Sequence, residues 1–179
     1  MSLGRAYLDD VIFSFRRHKD WAERAFRQVA SDADFFRKPG EQSNSVAIII
    51  KHLAGNLASR WTDFLSSDGE KPWRSRDNEF LIGPDDSRER LLASWEAGWG
   101  VLFRTLESLG EADLRRRVTI RGEGHTVLQA IDRSLAHAAY HTGQIMYLSR
   151  LLKTDGWQWI TIPPGQSQQV RAKGGNYLK

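Results

Sequence analysis

Apolar side chains recur at steps of three and four residues in four separate stretches of this 179-residue chain. Side chains with this spacing share one face of an α-helix, and that face must be buried against other helices. The stretches predict helices over about residues 3–30, 44–65, 87–109 and 126–153. A chain of this length is expected to form a single domain over residues 1–179, all-α and built as a four-helix bundle.

Three segments break the helical pattern. Residues 117–121 alternate polar and apolar side chains and are followed by Gly-Glu-Gly, which predicts a short β-hairpin before the last helix. The stretch from Ser66 to Asp86 is longer than the loops that usually join bundle helices, and loops of such length often carry function. Residues 154–179 contain Pro-Pro-Gly and are expected to form a loop that docks on the bundle or on a partner chain.

Polar residues predict where three of the helices begin. Ser43 or Ser45 is suited to cap the second helix. Asp86 opens a D-x-x-E sequence and Thr126 opens a T-x-x-Q sequence, each of which has the pattern of a capping box.

Composition excludes several classes of function. The 26 basic and 22 acidic residues are interspersed, so the net charge of +4 could attract an anionic small molecule but no nucleic-acid partner is expected. The longest aliphatic run, residues 46–50, is far shorter than the ~20 residues of a membrane span. Asp9 and Asp10 interrupt the region where a signal peptide would be apolar, so a cytoplasmic protein is expected. The chain has no cysteine, so any metal must be bound by His, Asp or Glu.

Three histidines lie at positions that suit a metal site. His137 and His141 are four residues apart in a strongly helical segment, which puts both imidazoles on one helix face. A hydrogen-bonded pair of partly buried histidines would show the same spacing. His52 lies among apolar residues of the second predicted helix, where it is either a third ligand or a core histidine bonded to a carbonyl or to Asn56. Burying an imidazole without a partner costs about 1–3 kcal/mol, and a shared metal would avoid that cost.

Polar neighbours of these histidines are candidates for supporting roles. Gln144 follows His141 by almost one turn and Asn56 follows His52 by one turn, so each could fix a ring tautomer or orient a substrate. Ordinary interhelical hydrogen bonds explain both residues equally well. His18 falls in the apolar stripe of the first helix and could be a fourth ligand or a base, although a structural histidine is the expectation there. No carboxylate has a spacing that indicates a general base.

Two segments carry a resemblance to a known superfamily. H-A-A-Y-H-T-G-Q-I, from His137 to Ile145, resembles the closing motif of the DinB/YfiT-like superfamily. S-N-S-V-A-I-I-I-K-H-L-A-G-N, from Ser43 to Asn56, is followed by R-W-T-D-F-L and D-G-E-K-P-W-R and is similar to a branch catalogued as a domain of unknown function. The resemblance implies an up-down-down-up four-helix bundle in which one divalent metal is bound by three histidines, here His52, His137 and His141.

The resemblance also implies a class of chemistry. Its relatives include S-transferases that use bacterial low-molecular-weight thiols and a thiol-dependent maleylpyruvate isomerase. A small-molecule substrate is therefore expected, with a low-molecular-weight thiol as the cosubstrate if the reaction is S-transfer. Three neutral imidazoles leave a coordination position open for Lewis-acid chemistry, by S-transfer or by hydrolysis. Zinc is the expected metal, with nickel, manganese, iron and cobalt as alternatives. The competing hypotheses are a non-enzymatic metal-binding or dimeric stress-response module, and a bundle without metal.

An oligomer is predicted from the apolar content of the helices. The chain has 7 tryptophans and an apolar second helix, which together suggest more apolar surface than one bundle of this size can bury. A two-fold homodimer that uses helix faces is the expected arrangement, with residues 154–179 as a second candidate surface of the interface.

Overall fold

The computed structural model describes residues 1–172 and consists mainly of helices. Its α-helices are α1 (Leu3–Phe26), α2 (Asp32–Phe36), α3 (Val46–Trp61), α4 (Arg88–Ser108), α5 (Val127–Leu152) and α6 (Ser167–Ala172). An antiparallel hairpin of β1 (Arg117–Ile120) and β2 (Glu123–Thr126) precedes α5, and single 3-10 turns lie at Asp77–Phe80 and Glu111–Arg115. The prediction of a mainly helical chain with a hairpin before the last long helix is therefore confirmed.

The four long helices enclose one apolar core. Helix α3 packs along α4 and α1 packs along α5, while α3 also contacts α5 and α1 also contacts α4. Trp61, Trp95 and Trp99 are fully buried, and Phe15 meets the rings of Trp61 and Trp99 edge-on at centroid distances of 6.2 Å. Such edge-to-face packing of large rings is a favourable way to fill a helix interface. No helix within residues 1–172 combines the length and the apolarity needed to cross a lipid bilayer.

A glycine sets the close approach of α3 and α4. A side-chain carbon on Gly98 would lie 2.8 Å from the carbonyl oxygen of Ala54, which is too close for any substituted residue. Ala54 is two residues from His52 on α3, so the close contact between the two helices lies near that histidine.

Two helices end earlier than predicted. Helix α1 ends at Phe26, not near residue 30, and the short unpredicted helix α2 follows. Helix α3 ends at Trp61, not at residue 65, because Thr62 takes an extended conformation with ψ of 131° and Asp63 has φ of +46°. A right-handed helix cannot continue through a residue with positive φ.

The helix caps agree with prediction at two of three sites. Ser45 caps α3, and Thr126 forms the predicted capping box with Gln129 at the start of α5. The predicted box at Asp86 is wrong, since Ser87 caps α4. The Asp86 carboxylate instead accepts hydrogen bonds from a lysine of α3 and from a backbone N–H of its own loop.

The segment after α5 folds back onto the end of α1 and the residues that follow it. The backbone N–H of Gln158 donates to the side-chain oxygen of Gln28, whose amide nitrogen donates to the Gln158 carbonyl, and Ile160 is buried. The loop predicted for residues 154–179 also contains helix α6, which follows the Pro-Pro-Gly turn. Residues 173–179 of that predicted loop lie outside the described residues.

Candidate metal centre

Helices α3 and α5 bring three histidine rings together. His52 projects from α3, and His137 and His141 project from successive turns of α5. The Nε2 atom of His137 lies 3.3 Å from Nε2 of His52 and 3.1 Å from Nε2 of His141. One nitrogen from each ring lies within 4.8 Å of the others. This group could hold a metal ion.

The surroundings keep two of these rings uncharged. Burial lowers the pKa of His137 to about 3, with additional repulsion from neighbouring histidines and arginines. Burial also lowers the pKa of His141 to about 4, although its hydrogen bond with Gln144 acts in the opposite direction. Both rings are therefore neutral near pH 7 and offer a lone pair to a cation, which a protonated imidazole cannot do.

Hydrogen bonds on the outer side of two rings orient the inner nitrogens. The Nδ1 atom of His52 lies 2.9 Å from Oε2 of Glu79, and Nδ1 of His141 lies 2.8 Å from Oε1 of Gln144. An acceptor at Nδ1 holds the ring proton there and leaves Nε2 as the lone-pair atom that faces the other rings. The Nδ1 atom of His137 is buried with no hydrogen-bond partner among residues 1–172.

Glu79 comes from the long segment between α3 and α4. Its two carboxylate oxygens accept hydrogen bonds of 2.8 Å from Nε and Nη2 of Arg74, in the bidentate geometry that fits a guanidinium. Burial would raise the pKa of Glu79, but hydrogen bonds from His52 and Arg74 outweigh it and lower the pKa below its ordinary value. A side chain on Gly55 of α3 would overlap Oε1 of Glu79, so this glycine makes room for the carboxylate. The ring of Phe80 lies against His52, with centroids 4.7 Å apart.

The other predicted site residues occupy different places. Gln144 contacts His141, whereas Asn56 is buried in the wall of a neighbouring cavity and Nδ1 of His52 faces Glu79 instead. His18 is not part of the three-histidine group. Its Nδ1 atom is buried without a hydrogen bond to the described part of the chain, and burial lowers its pKa.

A cavity of about 240 Å³ opens beside the histidines. His52 and His137 form part of its wall, and Trp61, Phe64 and Ile120 give it an apolar side. The cavity is also lined by five arginines, namely Arg60, Arg74, Arg76, Arg121 and Arg133.

One acidic residue joins two walls of this cavity. The carboxylate of Asp68, in the segment after α3, accepts hydrogen bonds of 2.9 and 2.8 Å from the backbone N–H groups of Arg121 and Gly122 at the hairpin tip. The backbone N–H of Gly69 donates to the carbonyl of Thr119 at 2.8 Å. The segment after α3 and the hairpin therefore form a continuous wall.

Sequence reasoning missed Glu79 and the arginines. They lie in four separate parts of the chain, and no periodic spacing relates them to one another or to the histidines. The one sequence signal was the unusual length of the segment from Ser66 to Asp86, which predicted a functional loop without indicating which of its residues would face the site.

Fold and site together define a mainly helical protein with three histidines that could hold a metal ion at the edge of a cavity. A family model described as "Protein of unknown function (DUF1572)" matches residues 2–166, and the chain belongs to that family. A search of curated proteins finds no match to it.

Proposed function

We propose that this protein is a divalent-metal-dependent enzyme that acts on a small molecule, with His52, His137 and His141 as metal ligands. The observation that carries the proposal is the position of the histidines, since two of the three line an open cavity. A purely structural ion is normally enclosed by four protein ligands, whereas the group within residues 1–172 consists of three. This difference favours an enzyme over a non-enzymatic metal-binding or stress-response module.

The residues around the histidines support the fit of an ion. Inward-facing Nε2 atoms, two neutral rings and outer hydrogen bonds that Glu79 and Gln144 accept from Nδ1 are the features that a histidine site requires. An ion held by neutral imidazoles would supply Lewis-acid chemistry, lowering the pKa of water or of a thiol. Zinc is the metal we propose, with nickel, manganese, iron and cobalt as alternatives.

The position of Glu79 bears on the type of reaction. Its carboxylate faces Nδ1 of His52, on the outer side of the ring, so it orients that histidine and is not placed to remove a proton from a substrate. A thiol is acidic enough to ionise without a protein base beside it, whereas attack by water usually benefits from one. We therefore place thiol-dependent S-transfer before hydrolysis, with a low-molecular-weight thiol as the cosubstrate.

We also propose that the four long helices form the up-down-down-up bundle of the DinB/YfiT-like superfamily. This topology makes the second and third helices parallel, which requires a long connection between them. Residues 62–87 supply such a connection between α3 and α4. The pairing of α1 with α5, and the location of the histidines on α3 and α5, support the same arrangement.

The His141→Ala variant tests the ligand assignment. We expect the purified wild type to retain close to one zinc ion per chain after dialysis, and the variant to lose most of it, because removing one of three ligands removes much of the binding free energy. Its helical circular dichroism should persist, since the buried apolar side chains hold the fold. His18→Ala is the matched control and should keep its zinc. Stoichiometric zinc in His141→Ala, measured by elemental analysis, would contradict the assignment.

A homodimer is proposed on the basis of the outer face of α5. Tyr140, Tyr147 and Leu151 lie seven and four residues apart, on one side of the helix, and are 61%, 71% and 54% exposed. An exposed apolar stripe of this kind is typical of an interface, and two-fold pairing is the commonest arrangement. Light scattering at micromolar concentration should give twice the chain mass of 20.5 kDa. Tyr147→Glu should give the mass of one chain.

A cytoplasmic location and the lack of a nucleic-acid partner stay predictions.

A further inference from the structure

We propose that the cavity arginines bind an anionic group of the substrate, a carboxylate or a phosphate, and hold its apolar body beside the three histidines. This proposal names the substrate class of the proposed enzyme. It rests on the proposed function only in placing the reacting group of the substrate at the three histidines. Binding of the anion depends on the arginines alone.

The arginines approach the cavity from four segments of the chain. Arg60 lies in α3, Arg74 and Arg76 in the segment after it, Arg121 in the hairpin and Arg133 in α5. Arg60 and Arg74 form a buried part of the wall, with side-chain exposures of 11% and 2%, and the other three are exposed at the rim. Several guanidinium groups directed at one small volume create a strong positive potential, which attracts and orients anions.

One carboxylate forms ion pairs with three of these arginines. The Oε2 atom of Glu70 lies 3.2 Å from Arg60, 3.3 Å from Arg74 and 3.2 Å from Arg121. A single carboxylate cannot neutralise three guanidinium groups. The positive charge at this end of the cavity is therefore only partly compensated.

The remaining acidic partners do not correct the imbalance. Glu79 and Asp77 each pair with one of the cavity arginines. Arg133 pairs with no carboxylate within residues 1–172, and its Nη1 atom lies 3.4 Å from Nε2 of His125. The five cavity arginines thus have three carboxylates as ion-pair partners. The fourth carboxylate of this wall, Asp68, lies beside the buried cation Lys71, so the arginines keep an excess of positive charge.

Arg60 shows the consequence of this crowding. Its Nη1 atom is buried and makes no hydrogen bond within the described chain, because the geometry toward Glu70 brings the charges together without aligning the N–H bond. Burial lowers the pKa of Arg60, Glu70 opposes that effect, and the neighbouring arginines add to it. A bound anion would supply both a hydrogen-bond acceptor and the missing negative charge.

The rest of the cavity defines the other parts of the ligand. Trp61, Phe64 and Ile120 offer apolar contacts, while His52 and His137 lie in the same wall as the arginines. A ligand that satisfies all three surfaces has an anionic group, an apolar or aromatic body and a reactive group that faces the histidines.

Phenyl phosphate is a suitable probe, since it combines an anion with an aromatic ring. We expect calorimetric titration of the full chain to show binding, with phenol, which lacks the phosphate, at least about tenfold weaker. Arg133→Gln and Arg121→Gln should each weaken phenyl phosphate by about tenfold. Arg16→Gln is the matched control, because it removes the same charge from an exposed arginine of α1 that pairs with Glu107 at 2.6 Å.

The same titration on His141→Ala separates this inference from the metal proposal. His141 does not line the cavity, so phenyl phosphate should bind that variant as it binds the wild type even when zinc is lost. The inference is overturned if wild type shows no binding at millimolar concentrations, or if Arg133→Gln and Arg121→Gln bind as Arg16→Gln does. Loss of binding in His141→Ala alone would also overturn it, since the anion would then depend on the metal. Both cavity variants change exposed side chains, and circular dichroism checks that each is folded.

Discussion

Two buried glutamates, Glu23 in α1 and Glu79 in the segment before α4, look alike when each is considered alone. They are 8% and 7% exposed, and in both cases hydrogen bonds from the protein overcome the effect of burial and lower the carboxyl pKa. The two glutamates differ in the role of the groups that they bind. Glu23 holds helices together, whereas Glu79 holds a candidate metal ligand.

The partners of Glu23 are mostly close in sequence. Lys19 lies one turn before it on α1 and Arg27, the residue after the end of α1, lies one turn after it, and the indole N–H of Trp95 on α4 donates to it at 3.2 Å. This carboxylate satisfies a buried tryptophan and ties α1 to α4. None of the four residues borders the cavity beside the histidines.

Glu79 has partners that belong to the site itself. It bridges His52, which faces the other two histidines, and Arg74, which lines the cavity. A buried, ionised carboxylate is thus no sign of function by itself, because its degree of burial and its pKa direction are the same in both regions. The identity of the groups it bonds to makes the distinction.

The largest expected effect tests this distinction directly. Glu79→Gln should weaken zinc binding by about 10- to 100-fold, as is typical when the outer hydrogen-bond partner of a ligating histidine is changed. Glu23→Gln makes the same chemical change in the other region and should leave zinc affinity unaltered. Competition with a chromophoric chelator measures both. Equal affinities in the two variants would remove the distinction between the glutamates.

A somewhat smaller effect is expected on stability at Glu23. Glu23→Gln should lower the free energy of unfolding by about 1–2 kcal/mol, since the amide cannot accept from two cations and an indole together as the carboxylate does. Urea unfolding followed by tryptophan fluorescence gives this value. An unchanged unfolding midpoint would show that the Glu23 contacts contribute nothing net.

The same variant carries a pH prediction. The folded pKa of Glu23 is below its ordinary value of 4.5, so between these two values the unfolded chain binds more protons than the folded one. The stabilisation by Glu23 is therefore complete above pH 4.5 and is lost as the pH falls through the folded pKa. The difference in unfolding free energy between wild type and Glu23→Gln should shrink over that interval, and a constant difference would contradict the assignment.

The smallest effect is expected at Gly55. Gly55→Ala places a methyl group against Oε1 of Glu79, and the carboxylate can move only by weakening its bonds to His52 and Arg74. Zinc affinity should fall by less than about tenfold, because the carboxylate is displaced and not lost as it is in Glu79→Gln. Gly143→Ala on α5 is the control, because no atom lies within 4 Å of its new methyl group. That variant should gain up to about 1 kcal/mol of helix stability and keep its zinc affinity.

Sequence could predict the parts of this molecule that depend on local geometry. The apolar stripes placed the long helices, and the spacing of His137 and His141 put both rings on one face, because helix periodicity relates residues three or four apart. Glu79 could not be predicted in this way. It is 27 residues from His52 and lies in a single 3-10 turn, so only the tertiary fold relates the two.

Helix ends were less predictable for a similar reason. Asp86 and Ser87 are both good caps, and the choice between them was decided by a lysine of α3 that engages Asp86. The end of α3 depends on Asp63, whose positive φ would have been expected of a glycine. At Asp86 the outcome involves a contact outside the local sequence, and at Asp63 the backbone adopts a conformation that its residue type does not favour.

The hydrogen bonds of Asp68 also have a consequence for how the cavity wall exchanges with solvent. Backbone amides at an exposed hairpin tip ordinarily exchange their hydrogens for deuterium with little protection. Here the amides of Arg121 and Gly122 are held by a carboxylate 53 and 54 residues earlier in the chain. Their hydrogens can exchange only when the segment after α3 separates from the hairpin, so two amides at the surface record how often the cavity wall opens.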